Sequence, residues 1–165
     1  MPRTTLTETA VELYCSFWLG DHWFGVPSTA VREFHAAAPL TPVPGAPSAV
    51  RGYVNLRGQL FLVLDPSELL LGAPSSASQS AELIVFRPEV GEAFAISVGQ
   101  VGEMLPIAQA QIHVPKARTD DVDLSVAARR SERLIVGHAT LDSLLVTLVE
   151  PQRLLPAAFA DAALG

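Results

Sequence analysis

Apolar positions in this chain recur with the period of β-strands and in short unbroken runs. Leu13, Cys15, Phe17 and Leu19 alternate with Tyr14, Ser16 and Trp18, the pattern of a strand with one face on a core. Gly20-Asp21 follows as a tight turn, and His22 to Val26 reads as the return strand. On this reading Tyr14 and Trp18 take the outward register, where large amphipathic rings suit an interface. Val54 to Leu64 predicts two further strands that turn near Arg57-Gly58. Asp65-Pro66-Ser67-Glu68 predicts a helix start: an acid at the N-cap, proline at the first helical position and a glutamate placed to close a capping box. Gly72 should end that helix.

The run Leu60-Phe61-Leu62-Val63-Leu64 does not alternate, so both of its faces should be covered. In a small barrel one face is the core and the other must meet a second unit or a partner. Leu144-Leu145-Val146-Thr147-Leu148-Val149 repeats the argument near the C-terminus.

These two runs belong to an internal duplication. Gly52 to Pro66 (Gly-Tyr-Val-Asn-Leu-Arg-Gly-Gln-Leu-Phe-Leu-Val-Leu-Asp-Pro) aligns without a gap on Gly137 to Pro151, and both copies continue to a Leu-Leu pair, Leu69-Leu70 and Leu154-Leu155. Upstream the likeness is weaker: Phe24-Gly25-Val26 and Val31-Arg32-Glu33-Phe34 correspond to Phe94-Ala95-Ile96 and Val101-Gly102-Glu103-Met104, and each half then reaches a Val-Pro pair. Two copies of one β unit of five strands each are therefore expected, and closure into small barrels would remove their unpaired strand edges. Residues 11–155 should form one domain, in which 11–72 with 134–155 and 81–115 make two related barrel subdomains. The Ser- and Ala-rich stretch 73–80 reads as a connector, the polar stretch 116–133 as a loop, and 156–165 as a short tail with room for two helical turns.

Composition narrows the function. The net charge is -6 with only 11 lysines and arginines, thinly spread, so the cationic stripe that nucleic acids or anionic lipid require is missing. Apolar runs are too short to span a bilayer, which excludes direct membrane insertion. A single cysteine excludes an internal disulfide, and the N-terminus lacks an apolar signal core, so the expected compartment is the cytoplasm.

No catalytic constellation is visible, and neither a cofactor nor a metal is expected. His22, His35, His113 and His138 lack ligand or triad partners at recognised spacing, and Cys15 reads as a small core residue. Asp120, Asp121 and Asp123 lack the glycine and distal glutamate of a calcium loop and fit a solvated loop facing Arg129 and Arg130. Pro39 to Pro47 matches a Pro-x-x-Pro pattern formally, but four prolines in nine residues also make a stiff connector.

The block Gly52-Tyr53-Val54-Asn55-Leu56-Arg57-Gly58 before an apolar run and Leu64-Asp65 resembles the CheW family of chemotaxis coupling proteins. Phe17-Trp18-Leu19-Gly20-Asp21, Phe24-Gly25-Val26-Pro27, Val31 to Phe34 and Thr41-Pro42-Val43-Pro44 support the likeness, as do Val98 to Glu103 and Gly137 to Leu155. The resemblance implies an all-β fold of two SH3-like five-stranded barrels around a shared apolar core, with short helices. It implies a non-catalytic scaffold that joins the regulatory domain of a CheA-type histidine kinase to the cytoplasmic tip of a chemoreceptor, working beside membrane receptor arrays. Carried over by position, Val31, Glu33, Phe34, Gly52, Asn55, Arg57 and Leu60 are the expected partner-binding residues, with Leu60 a groove candidate. An adaptor that keeps the receptor surface and has lost kinase binding is the alternative; a small-molecule-binding barrel is a third reading. The resemblance leaves the long C-terminal packing helix of some family members in doubt here, because the tail is short.

Overall fold

The computed structural model describes residues 10–75, 82–115 and 131–160. The strands are β1 (Val11–Leu19), β2 (His22–Pro27), β3 (Val31–His35), β4 (Val50–Leu56), β5 (Gln59–Leu64), β6 (Glu82–Phe86), β7 (Phe94–Val98), β8 (Gln100–Ala108), β9 (Ile135–Leu141) and β10 (Leu144–Val149). Two short α-helices, α1 (Pro66–Leu71) and α2 (Leu154–Ala160), follow β5 and β10. The connector from 76 and the acidic loop with Asp120, Asp121, Asp123, Arg129 and Arg130 lie outside the described residues. Of the expected loop 116–133, residues 131–133 are described and are helical.

The strands form two five-stranded sheets, ordered β8-β1-β2-β10-β9 and β3-β6-β7-β5-β4. Advancing every strand of the first by five positions, with wrap-around, reproduces the second. The copies therefore exchange strands, and the expected division into 11–72 with 134–155 and 81–115 does not hold: one barrel joins β1 and β2 to β8, β9 and β10, and the other joins β3, β4 and β5 to β6 and β7. Registers repeat too. β10 runs parallel to β2 with Leu148 opposite Gly25, and β5 runs parallel to β7 with Val63 opposite Ala95. The two hairpins carry an irregularity at the same step, between Val50 and Gly52 and between Leu148 and Val149, the latter opposite Gly137.

The repeated glycine of each hairpin has a steric cause. The chain before β4 pairs back through a Thr41–Tyr53 bridge, and the chain before β9 through a His113–His138 bridge. A Cβ on Gly52 would sit 2.4 Å from the Thr41 carbonyl oxygen, and one on Gly137 would sit 2.9 Å from that of His113. Gly52 also has φ +145°, a region that side-chain-bearing residues avoid.

Among the described residues apolar burial falls into three clusters. Tyr14, Leu105, Ile107, Ala139, Val146 and Leu148 fill the first barrel, and Val54, Leu56, Phe61, Val63, Leu83, Val85 and Ala95 fill the second. The largest cluster lies between them and includes Cys15, Phe17, Phe24, Val26, Leu64, Leu69, Ile84, Phe86, Phe94, Ile96, Val149 and Leu154. Within it two stacked pairs mirror each other, Phe17 on Phe24 with centroids 5.8 Å apart and Phe86 on Phe94 at 4.9 Å. The unbroken runs are covered only in part: Phe61 and Val63 face their barrel and Leu64 faces the shared core, while Leu60, Leu144 and Leu145 remain exposed. The short tail helix packs after all, since Leu154 and Ala158 of α2 join that core.

Three details differ from the sequence reading. Tyr14 does not face outward; it is buried in the first barrel, and burial with the neighbouring Glu12 pushes its hydroxyl up to about 12. The cause is that β1 is a central strand with a core on each face, which also buries Ser16. Trp18 is half-buried and stacks on Trp23 at 5.5 Å. At α1 the Asp65 side chain accepts from the Ser67 amide at 3.0 Å as expected of an N-cap, and Gly72 closes the helix with φ 74°. Glu68, however, accepts from the Ser48 hydroxyl at 3.1 Å instead of completing a capping box, because the Asp65 amide is already bonded to the Ala49 carbonyl.

Strand exchange predicts that neither half of the chain can close a barrel alone. Cut between Ala77 and Ser78, each fragment should lack β-sheet signal by circular dichroism and regain it on mixing; a folded isolated half would contradict the exchange. Gly52→Ala should destabilise by about 1–3 kcal/mol in denaturant unfolding. Gly58→Ala, where a Cβ meets nothing within 4 Å, should cost less.

Candidate functional site

The Asn-Leu-Arg-Gly segment is a geometric device. Arg57 and Gly58 form the two-residue loop between β4 and β5, both at positive φ (53° and 82°), as a type I′ turn requires. Asn55 Oδ1 accepts from the Gly58 amide at 2.9 Å and closes the turn. The turn projects the Arg57 guanidinium onto Glu33 of β3, which also meets His35 Nε2 at 3.1 Å. The copy keeps the same backbone at Asp142-Ser143, φ 50° and 67°, without the arginine. The Glu33 carboxyl is held below its ordinary value, first by the hydrogen bond from Arg57 and then by the charges of Arg57, His35 and Arg32, with burial opposing.

The seven expected residues therefore separate by position. Glu33 and Arg57 form an ion pair across the side of the second barrel, and Phe34, the next residue of β3 and on its other face, is 44% exposed. Leu60 is 57% exposed and lines an apolar groove of about 530 Å³ with Tyr53, Leu62, Ala93, Leu155 and Phe159. Val31, by contrast, is buried in the shared core, and its carbonyl accepts from Arg87 Nε at 3.1 Å. Gly52 and Asn55 shape the backbone.

A further surface on the first barrel was not singled out from the sequence. Val11 and Leu13 continue the strand face whose inner residues Cys15, Phe17 and Leu19 enter the shared core, and both are exposed. Met104 on the neighbouring edge strand β8, opposite Cys15, extends this strip. Periodicity did place Leu13 and Cys15 on one face. What it lacked was the point along β1 where the second barrel stops covering that face. Among the described residues no cluster of three or more His, Cys, Asp or Glu could hold a metal, and no helix is long and apolar enough to cross a membrane.

Fold and surface together define a duplicated β-barrel scaffold whose distinguishing features are exposed apolar patches on two barrels locked to one another. Residues 13–159 match the family model of the CheW-like domain, and the chain belongs to that family. It is 28% identical over 158 residues to "Chemotaxis protein CheW" of Rhizobium meliloti (strain 1021), covering 96% of each chain. It is also 44% identical over 54 residues, 33% of each chain, to "Protein FrzA" of Myxococcus xanthus. Among solved structures it resembles the scaffolding protein TtCheW from Thermoanaerobacter tengcongensis, with a TM-score of 0.69 at 20% identity, covering 85% of this chain and 84% of that one. The chain is thus a CheW-like protein, related to proteins of chemotaxis.

Because the folded state depresses the Glu33 carboxyl, its stabilising contribution is present above the ordinary glutamate value and fades as pH falls through the lowered one. Glu33→Gln should therefore lower stability at pH 7, and the difference from wild type should shrink as the pH falls below the ordinary glutamate value of about 4.3 in urea unfolding.

Proposed function

We propose that this chain is a coupling adaptor that holds the regulatory domain of a CheA-type histidine kinase and the cytoplasmic tip of a chemoreceptor on separate surfaces of one rigid body. The carrying observation is that exposed apolar patches lie on both barrels, while the shared core fixes the barrels' relative position. The kinase domain docks at the Glu33–Phe34–Arg57 side of the second barrel. There the charged pair offers orientation through hydrogen bonds, and the exposed ring on the other face of the same outer strand offers affinity through apolar burial. Receptor helices present apolar ridges at helical spacing, which suit the grooves left beside the shared core. The adaptor works at the cytoplasmic face of the membrane without entering it.

Titrating the purified chain with a kinase regulatory domain and a receptor cytoplasmic fragment should give two binary complexes and one ternary complex. Mutual exclusion of the partners would show a single surface. Absence of kinase binding at tens of micromolar, about 6–7 kcal/mol of affinity, would leave a receptor-only adaptor.

Arg57→Glu should keep the fold and weaken kinase binding by about 1–3 kcal/mol. Combining it with Glu33→Arg restores opposite charges across the barrel. That double variant should recover stability but not affinity; recovery of both would make the pair purely structural.

A further inference from the structure

The chain has one cysteine and two methionines, Met1 and Met104, so Cys15 and Met104 are its only sulfur-bearing side chains beyond the first residue. They lie far apart in sequence, yet the Cys15 thiol donates to the Met104 thioether sulfur at 3.3 Å. The β1–β8 ladder pairs them, next to a β-bulge. Pairing of β1 with β8 shifts between Cys15 and Phe17, where the Ser16 hydroxyl donates to the Glu103 carbonyl at 2.5 Å and Gly102 leaves no room for a Cβ. Such an irregularity re-aims the side chains beside it. Here Met104 lies across from Cys15 at the rim of the shared core.

The two sulfurs differ sharply in access. Met104 is 47% exposed, whereas Cys15 is 3% exposed. Peroxides attack the thiolate of a cysteine, and burial raises the Cys15 thiol, so Cys15 is shielded both sterically and by its protonation. A thioether needs no deprotonation and can react where it stands.

We propose that Met104 is a reversible oxidation site for a peroxide-class oxidant, and that its unoxidised side chain is the cover over Cys15. In the reaction the thioether sulfur attacks one peroxide oxygen, an S–O bond forms and the O–O bond breaks. Sulfur loses two electrons to give the sulfoxide, and the second oxygen leaves as water. The added oxygen does not fit a 3.3 Å sulfur–sulfur contact and demands hydration, so the side chain swings into solvent. The apolar strip of Val11, Leu13 and Met104 loses its edge, and the core behind it opens at Cys15. A methionine sulfoxide reductase returns the thioether.

Treating the full-length protein with hydrogen peroxide and mapping it by mass spectrometry should place one oxygen on Met104 before any on Cys15. Iodoacetamide alkylation of Cys15 should then speed up by roughly tenfold, with the far-ultraviolet circular dichroism spectrum retained. Reduction by methionine sulfoxide reductase should restore protection. Met104→Leu should block the effect, and Met104→Gln, polar without oxidant, should expose Cys15 at once. Oxidation of Cys15 ahead of Met104, or a sulfoxide that leaves the alkylation rate unchanged, overturns the proposal.

Discussion

The packing between the two barrels is the constraint on which the rest depends. Among the described residues each barrel encloses six or seven buried apolar residues of its own, while the cluster between them is much larger and is built by both halves. A five-stranded barrel with so small an interior is marginal by itself, because apolar area removed from water is what offsets the entropy of ordering the chain. Stacking Phe17 and Phe24 of one barrel beside Phe86 and Phe94 of the other turns two weak units into one body. The exchange of strands adds a covalent reason for the same outcome, since neither barrel is contiguous in sequence.

That arrangement shapes how the surface can work. A rigid two-barrel body presents patches whose spacing does not depend on partners, so a component bound to one patch is oriented relative to a component bound to another. The duplication supplies equivalent positions and divergence makes them different. Leu60 and Leu145 occupy matching sites and are equally exposed, yet Tyr53 and Leu62 beside the first become His138 and Thr147 beside the second. Phe34 and Met104 likewise match on the two outer strands β3 and β8, one aromatic and chemically inert, the other flexible and oxidisable. Related backbones thus carry unlike surfaces, as the proposed binding of two different partners would require.

Electrostatics contributes locally. The Arg57–Glu33 pair is largely exposed, with 68% of the arginine side chain open, so its net contribution to stability is small. Its weight lies in geometry: it ties the β4–β5 turn to β3 and fixes a guanidinium over the Glu33–His35 face of that strand. Keeping a non-glycine residue at φ 53° costs some strain, and a turn that holds arginine there fixes where the side chain emerges.

Much of this was legible in the amino-acid order. Period-two alternation, paired turn signals and the Asp-Pro helix start located β1, β2, β4, β5 and α1, because these are local preferences of the backbone. The gapless repeat gave away the duplication, and Asn55-Leu56-Arg57-Gly58 announced its turn, since Asn and Gly meet needs that depend on nearest neighbours alone. Other features required coordinates. Alternation told which residues share a face but not whether a second sheet covers the other one, so Tyr14 read as outward although β1 lies inside its sheet. Strand exchange, the Arg57–Glu33 pair and the Cys15–Met104 contact all join positions distant in sequence. Such contacts are decided by which surfaces maximise buried area once the whole chain has collapsed, a quantity that no window of neighbouring residues contains.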